Sequence, residues 1–303
     1  MKDIYYIERM TKNKTKEKVY GRFFLEALYG NYFFSKFCSK WFLPLLAKIP
    51  FFSYLYAAIQ KSRFSRFKIK PFINSYEIET SDFLHPVDSF LSFNDFFIRK
   101  LKPSARPLAE GNEIAILPAD GRYLFFQNIE KSDGFIVKGY KFSLETLLRD
   151  KELAQKYHSG SMVIARLCPV DYHRFHFPCD GYPGKAELIN GPLYSVNPIA
   201  LKQNIHILSE NKRMITPLET QHFGKLLFIE VGATYVGSIH QTYSLDRLYK
   251  KGEEKGFFSF GGSCIILLFE PNHIQFDSDL LEASQKKIEI QAFYGQSMGK
   301  SLL

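Results

Sequence analysis

Phe257-Phe258-Ser259-Phe260-Gly261-Gly262-Ser263-Cys264-Ile265-Ile266-Leu267-Leu268-Phe269 sets two glycines and a serine between an aromatic run and an aliphatic one. Runs of this kind, broken by glycine, predict two core strands joined by a tight turn. Glycine permits the strained or positive-φ backbone that such a turn needs. An isolated Gly-Gly-Ser is ordinarily a glycine bulge in a core strand. A chemical reading exists beside it. The Ser263 hydroxyl can attack the carbonyl of Gly262, its own preceding peptide bond, in an N→O acyl shift. β-Elimination of the resulting ester, followed by hydrolysis, leaves a pyruvoyl group on a new N-terminus.

Working outward, short β segments separated by Gly/Pro/Asp turns are predicted over 113–117, 122–127, 134–137, 161–167, 225–231, 257–260 and 264–269. Helices are predicted over 144–157 and 199–208. Residues 19–105 read mainly as helical, and residues 1–18 as a Lys-rich, loosely ordered lead. The expected architecture is α+β: a mainly antiparallel β catalytic core over 106–303, with a basic, largely helical membrane-associating region over 1–105.

The charge distribution supports that division. The chain of 303 residues carries a formal net charge of +9, yet residues 1–70 hold fifteen Lys/Arg against four Asp/Glu, and the remainder has a slight acidic excess. The segment 41–59 is almost entirely apolar but contains Pro44, Lys48 and Pro50. A straight span needs about 20 apolar residues, and two prolines with a lysine argue against one. Flanking Lys36, Lys40, Lys61, Arg63, Arg66, Lys68 and Lys70, with Trp41, Tyr54 and Tyr56, suit in-plane or hairpin contact of residues 19–70 with an anionic membrane surface. A buried helical hairpin packed on the core is the alternative. Nucleic acid also reads basic surfaces, but no recognition motif accompanies this one, so no nucleic-acid partner is expected. Cys38, Cys168, Cys179 and Cys264 show no regular spacing, which suits unpaired thiols in a reducing compartment. Residues 1–18 are charged and lack the apolar core of a cleaved signal peptide.

Two further segments have the look of active-site loops. Pro118-Ala119-Asp120-Gly121 is a turn presenting one carboxylate, and taken alone it is ordinary hairpin chemistry. Asp171-Tyr172-His173-Arg174-Phe175-His176-Phe177-Pro178 sets two histidines three residues apart. No third metal ligand stands at a familiar spacing, and in an extended segment the two rings face opposite ways, so no metal is expected and each histidine has its own task. Either could equally be a structural hydrogen-bonder. With Ser263 the segments supply a nucleophile, an imidazole base and a carboxylate to orient it. A serine hydrolase wants the same trio, but its nucleophile usually sits in Gly-x-Ser-x-Gly before a helix. Here an apolar strand follows, which suits self-cleavage better.

From about residue 75 the chain resembles the phosphatidylserine decarboxylase proenzymes. The resemblance rests on Phe93-Asn94-Asp95-Phe96-Phe97-Ile98-Arg99-Lys100-Leu101-Lys102-Pro103, Pro118-Ala119-Asp120-Gly121, Lys138-Gly139-Tyr140 and Asp171-Tyr172-His173-Arg174-Phe175-His176. It continues through Tyr194-Ser195-Val196-Asn197-Pro198, Val231-Gly232-Ala233-Thr234, and Lys251-Gly252-Glu253-Glu254 running into the Gly262-Ser263 bond. The resemblance implies a pyruvoyl enzyme that converts phosphatidylserine to phosphatidylethanolamine through a Schiff base, with release of carbon dioxide. It implies self-cleavage between Gly262 and Ser263 into a β chain (1–262) and an α chain (263–303), which stay together as a heterodimer. Asp120, His176 and Ser263 match the self-cleavage triad, His173 matches the position of the decarboxylation step, and the covalent pyruvoyl cofactor derives from Ser263. One departure stands out: many bacterial members read Leu-Gly-Ser-Thr where this chain reads Gly-Gly-Ser-Cys. A homo-oligomer and a peripheral place on the cytoplasmic face of the cell (inner) membrane are further expectations. Competing readings are a pyruvoyl decarboxylase of another serine-headgroup lipid and a non-catalytic membrane-binding homologue.

Overall fold

A computed structural model describes residues 3–29, 47, 50–132, 136–137, 140–141, 143–233, 238–261 and 263–303. Trp41, Cys38, Lys138, Gly139, Thr234 and Gly262, all named above, lie outside the described residues.

The strand Ser263–Phe269 is buried along its whole length. A strand presents successive side chains to opposite faces, and here both faces are covered. Cys264, Ile266 and Leu268 join an apolar cluster with the helices Leu144–Leu148, Lys151–Tyr157, Pro198–Leu201 and Ile207–Glu210. Ile265, Leu267 and Phe269 join a second cluster, with Phe175, Phe258, Ile274 and Met298 from smaller sheets on the other side. The unbroken apolar run is therefore the middle strand of a three-layer arrangement.

That strand pairs antiparallel with Lys225–Gly232 on one side and Ser161–Leu167 on the other. Beyond Lys225–Gly232 come Arg213–Glu219, then Glu187–Ile189 and Tyr182–Pro183. Beyond Ser161–Leu167 come Gly121–Phe126, Glu289–Ala292, Tyr5–Glu8 and Lys14–Lys16. Among the described pairings of this ten-stranded sheet, only Tyr5–Glu8 with Glu289–Ala292 is parallel. The result is a mixed fold of helices and mostly antiparallel sheet, as expected.

All the anticipated strands form, in part or whole. Each anticipated helix is broken in two: Arg149 adopts a left-handed φ of 52°, which ends one helix, and the Asp150 side chain accepts from the Leu153 N–H to start the next. The lead segment differs from expectation. Residues 5–16 are not loose but supply two strands to the main sheet, because Tyr6 pairs with Glu289 near the far end of the chain. Glu17 then reaches inside to Arg166.

Helical segments Pro50–Lys61, Ile69–Tyr76 and Phe93–Phe97 surround an aromatic cluster of Phe72, Phe83, Phe90, Phe93, Phe96 and Phe97. Phe260 inserts into this cluster, 4.9 Å from Phe97 and 5.0 Å from Phe93 between ring centroids. The helical region thus packs on the turn that precedes Ser263. No helix among the described residues is long and apolar enough to cross a membrane.

Candidate active site

Ser263 opens the central strand, flanked in register by Gly232 and Leu167. Gly261 before it has a φ of 139°, outside the range that side chains tolerate. Gly262, the carbonyl side of the expected scissile bond, is not among the described residues. The Ser263 side chain is fully buried and its Oγ has no hydrogen-bond partner among the described residues. A buried hydroxyl left unpaired costs about 1–3 kcal/mol and asks for an account. Strand alternation sends Cys264 to the opposite, helix-facing layer, so its thiol does not share Ser263's side.

His173 follows a turn in which the Asp171 N–H donates to the Cys168 carbonyl at 2.8 Å. The Asp171 carboxylate anchors the turn, accepting from the Arg122 guanidinium and, at 2.6 Å, from the Cys168 N–H. His173 Nδ1–H donates to the Asp171 carbonyl at 2.9 Å, and its ring lies 3.8 Å from that of Phe97. The remaining nitrogen, Nε2, is buried and has no partner among the described residues. Burial lowers the imidazole pKa to about 3, so the ring is neutral and Nε2 carries a free lone pair.

His176 ends the strand Arg174–His176. Its Nδ1–H donates to the Gly252 carbonyl at 3.0 Å, and Nε2 accepts from the Tyr172 hydroxyl at 3.2 Å. The Tyr294 ring stacks on it at 3.8 Å. Burial lowers this imidazole as well, to about 4. Asp120 accepts from both Arg106 Nε and Nη2, at 3.1 and 2.8 Å, and from the Tyr294 N–H at 2.9 Å. Burial pushes its carboxyl up, against the opposing pull of Arg106.

Tyr294 therefore joins two of the expected residues, Asp120 through its N–H and His176 through its ring. No hydrogen bond links Asp120, His176 and Ser263 to one another among those described. The carboxylate was expected to orient the imidazole; in this structure the Gly252 carbonyl does so, because Asp120 is saturated by Arg106 and Tyr294. Phe97 bridges the other half of the site, touching both His173 and Phe260.

Arg106 and Tyr294 were missed by sequence reasoning. Tyr294 is 174 residues from Asp120, and no local pattern marks either residue. Beside the Phe260–Gly261 turn lies a cavity of about 770 Å³, lined among others by Tyr6, Glu17, Tyr20, Arg122 and Val170. Its wall is built partly from the N-terminal strands. The described cysteines Cys168, Cys179 and Cys264 are buried and free. Among the described residues no group of three or more His, Cys, Asp or Glu side chains is arranged to hold a metal.

Comparison with known proteins gives the context for this geometry. A sequence model of the family described as phosphatidylserine decarboxylase matches residues 93–300. The chain is 50% identical over 296 residues to a phosphatidylserine decarboxylase proenzyme of Chlamydia pneumoniae, covering 98% of this chain and 97% of that one. It is 48% identical over 302 residues to the proenzyme of Chlamydia caviae, covering 100% and 99%. The proenzyme of Chlamydia trachomatis serovar D is 43% identical over 303 residues, covering 99% and 98%. These matches put the chain among the carboxy-lyases. It belongs to the phosphatidylserine decarboxylase family.

Proposed function

We propose that the chain is a self-processing phosphatidylserine decarboxylase whose pyruvoyl cofactor is made from Ser263. The observation that carries this reading is the buried Ser263 Oγ, without a partner among the described residues, two positions after the positive-φ Gly261. A serine kept only for packing would leave an unexplained polar cost, whereas a serine whose oxygen must reach its own backbone has a reason to be left free. In the first step Oγ loses its proton and bonds to the Gly262 carbonyl carbon. The C–N bond breaks and the nitrogen takes a proton, leaving an ester. Loss of the Ser263 Cα proton then breaks the Cβ–Oγ bond and releases Gly262 as a carboxylate. Water replaces the nitrogen, which departs as ammonia.

The base in this reading is His176, whose Nδ1–H is tied to Gly252 and whose Nε2 is an acceptor. Asp120 is a buried carboxyl group held beside it through Tyr294. The pyruvoyl group supplies an electron sink for the bond that breaks when carbon dioxide leaves. That bond leaves its electron pair on the substrate Cα, which needs one proton. We assign its delivery to His173, which relays a proton through Nε2, the buried nitrogen without a partner among the described residues. The two chains, 1–262 and 263–303, remain paired because the strand Ser263–Phe269 stays inside the main sheet.

Residues 19–70 are the proposed contact with an anionic membrane surface, peripheral and on the cytoplasmic face. The supporting observations are the exposed aromatics Phe64 and Phe67 in sequence among Arg63, Arg66, Lys68 and Lys70, and the exposed Phe23. The division at residue 105 is then one of role, with residues 5–16 shared into the catalytic sheet. Intact-mass measurement tests the central claim. Two species are expected, and the one beginning at residue 263 should be lighter than the serine-started peptide by one ammonia. A single unprocessed mass would overturn the reading.

A further inference from the structure

Lys255 and Glu230 form a fully buried ion pair that the chemistry above does not use. Lys255 lies in the strand Glu254–Phe258, which pairs with the strand carrying His176. There Glu254 stands opposite His176 and Gly256 opposite Phe175, so Lys255 is the extra residue of a β-bulge. A bulge turns its residue out of the normal alternation. Lys255 accordingly points into the core, against the rings of Phe228 and Tyr243 at 4.7 and 5.1 Å. All three ammonium protons are used: by Glu230 Oε1 at 2.5 Å, Gln241 Oε1 at 2.8 Å and Thr216 Oγ1 at 2.9 Å. Gln241 Nε2 completes the set by donating to the second Glu230 oxygen.

A buried pair is weak evidence for stability, because desolvation offsets much of the attraction; its best-attested use is to fix register. The register at stake is a local one. Gly252 and Glu253, just before the bulge, exchange backbone hydrogen bonds with Phe177, both at 2.9 Å. The Gly252 carbonyl takes the His176 Nδ1–H. Without the extra residue at 255 this segment would shift by one position, turning its faces over. Glu230 sits two residues before Gly232, the register partner of Ser263. The pair thus bolts the sheet that bears His176 to the strand beside Ser263.

We propose that Lys255 and Glu230 are positioning residues for His176: they hold the bulge that presents the Gly252 carbonyl to Nδ1 and so keep Nε2 unprotonated, as an acceptor. The proposal rests on the self-cleavage reading for its consequence, but its geometric content stands apart from that reading. The test is the double variant Glu230→Gln/Lys255→Met, which removes both charges while keeping volume, with the isosteric Thr216→Val as a milder probe. Cleavage is followed by gel. The His176 tautomer is read by ¹⁵N NMR of histidine-labelled protein, in the uncleaved Ser263→Ala background.

The double variant should keep its unfolding midpoint, lose the single Nδ1–H tautomer, and cleave at least about tenfold more slowly, equivalent to about 1.4 kcal/mol of barrier. Thr216→Val should shift both readouts in the same direction by less. Cleavage and tautomer both unchanged in the two variants would overturn the proposal. If the double variant fails to fold, unchanged readouts in Thr216→Val overturn it alone. A wild-type chain that never cleaves defeats the functional reading instead, and the tautomer comparison still decides this one.

Discussion

The Tyr294 ring lies on the His176 imidazole, 3.8 Å between centroids and 15° from parallel. The same residue donates its N–H to Asp120 and its hydroxyl to the Gly252 carbonyl, the acceptor for His176 Nδ1–H. One residue from the C-terminal part of the chain, through its backbone and its ring, thus touches both Asp120 and His176. Among the described hydrogen bonds none joins the Asp120 carboxylate to the imidazole, and Tyr294 is the residue that touches both.

Replacing Tyr294 by Leu should free the imidazole and slow self-cleavage by one to two orders of magnitude, roughly the share a positioned base supplies. Tyr294→Phe keeps the ring and loses one hydrogen bond, a loss of about 1 kcal/mol in stability with little change in rate. A time course of fragment appearance separates the two. Equal rates for Leu and Phe would show that the stacking has no part in cleavage.

Both imidazoles titrate far below the usual histidine value of about 6.5 because burial disfavours their charged forms. Between those values the unfolded chain binds more protons than the native one, so stability rises with pH. The contribution is complete above about pH 6.5 and is lost as pH falls towards 4 for His176 and 3 for His173. Urea midpoints of the uncleaved Ser263→Ala chain should therefore drop between pH 7 and 4.5. Removing both histidines in that background should flatten the slope. In the same window cleavage by wild type should persist below pH 6, since His176 remains unprotonated there to about 4.

Cys264 faces the helical layer beside Ile266 and Leu268, and burial pushes its thiol up out of the reactive range. Cys264→Ala should cleave to the same extent as wild type and lose about 1–2 kcal/mol through a small cavity. Iodoacetamide should leave the native thiol unmodified. A cleavage defect in this variant without loss of stability would give Cys264 a part in the chemistry.

Phe64 and Phe67 are exposed by 88% and 73% beside Arg63, Arg66 and Lys68. Burying each ring in a lipid interface is worth about 1.5–3 kcal/mol, so the pair Phe64→Ser/Phe67→Ser should weaken binding to phosphatidylserine-containing vesicles at least tenfold. Added salt should weaken wild type as well, through its lysines and arginines. Vesicle co-sedimentation measures both. Binding that ignores the phenylalanines and the salt would move the membrane contact elsewhere.

Much of the fold was open to local reading. The strands at 161–167, 225–231 and 264–269 announce themselves by unbroken apolar runs, and the Gly-Gly-Ser turn by its glycines. Asp120, His173, His176 and Ser263 were singled out as candidates from short motifs and a family resemblance that needed no coordinates. Such signals lie within a few residues of one another, so sequence order preserves them.

What stayed hidden depends on residues distant in sequence. Tyr6 pairs with Glu289, Arg106 and Tyr294 converge on Asp120, and Lys255 fills a bulge opposite His176. The lead segment looked loosely ordered because its lysines dominate locally, yet an edge strand needs only a partner edge to receive its backbone hydrogen bonds. The sequence alone determined the family, the residues to consider for the chemistry, and which strand holds the serine. Only the tertiary structure decided that Cys264 faces away, that a carbonyl rather than a carboxylate orients His176, and that Ser263 Oγ is left unpaired among the described residues. Those outcomes follow from burial and from contacts between layers, which no window of sequence contains.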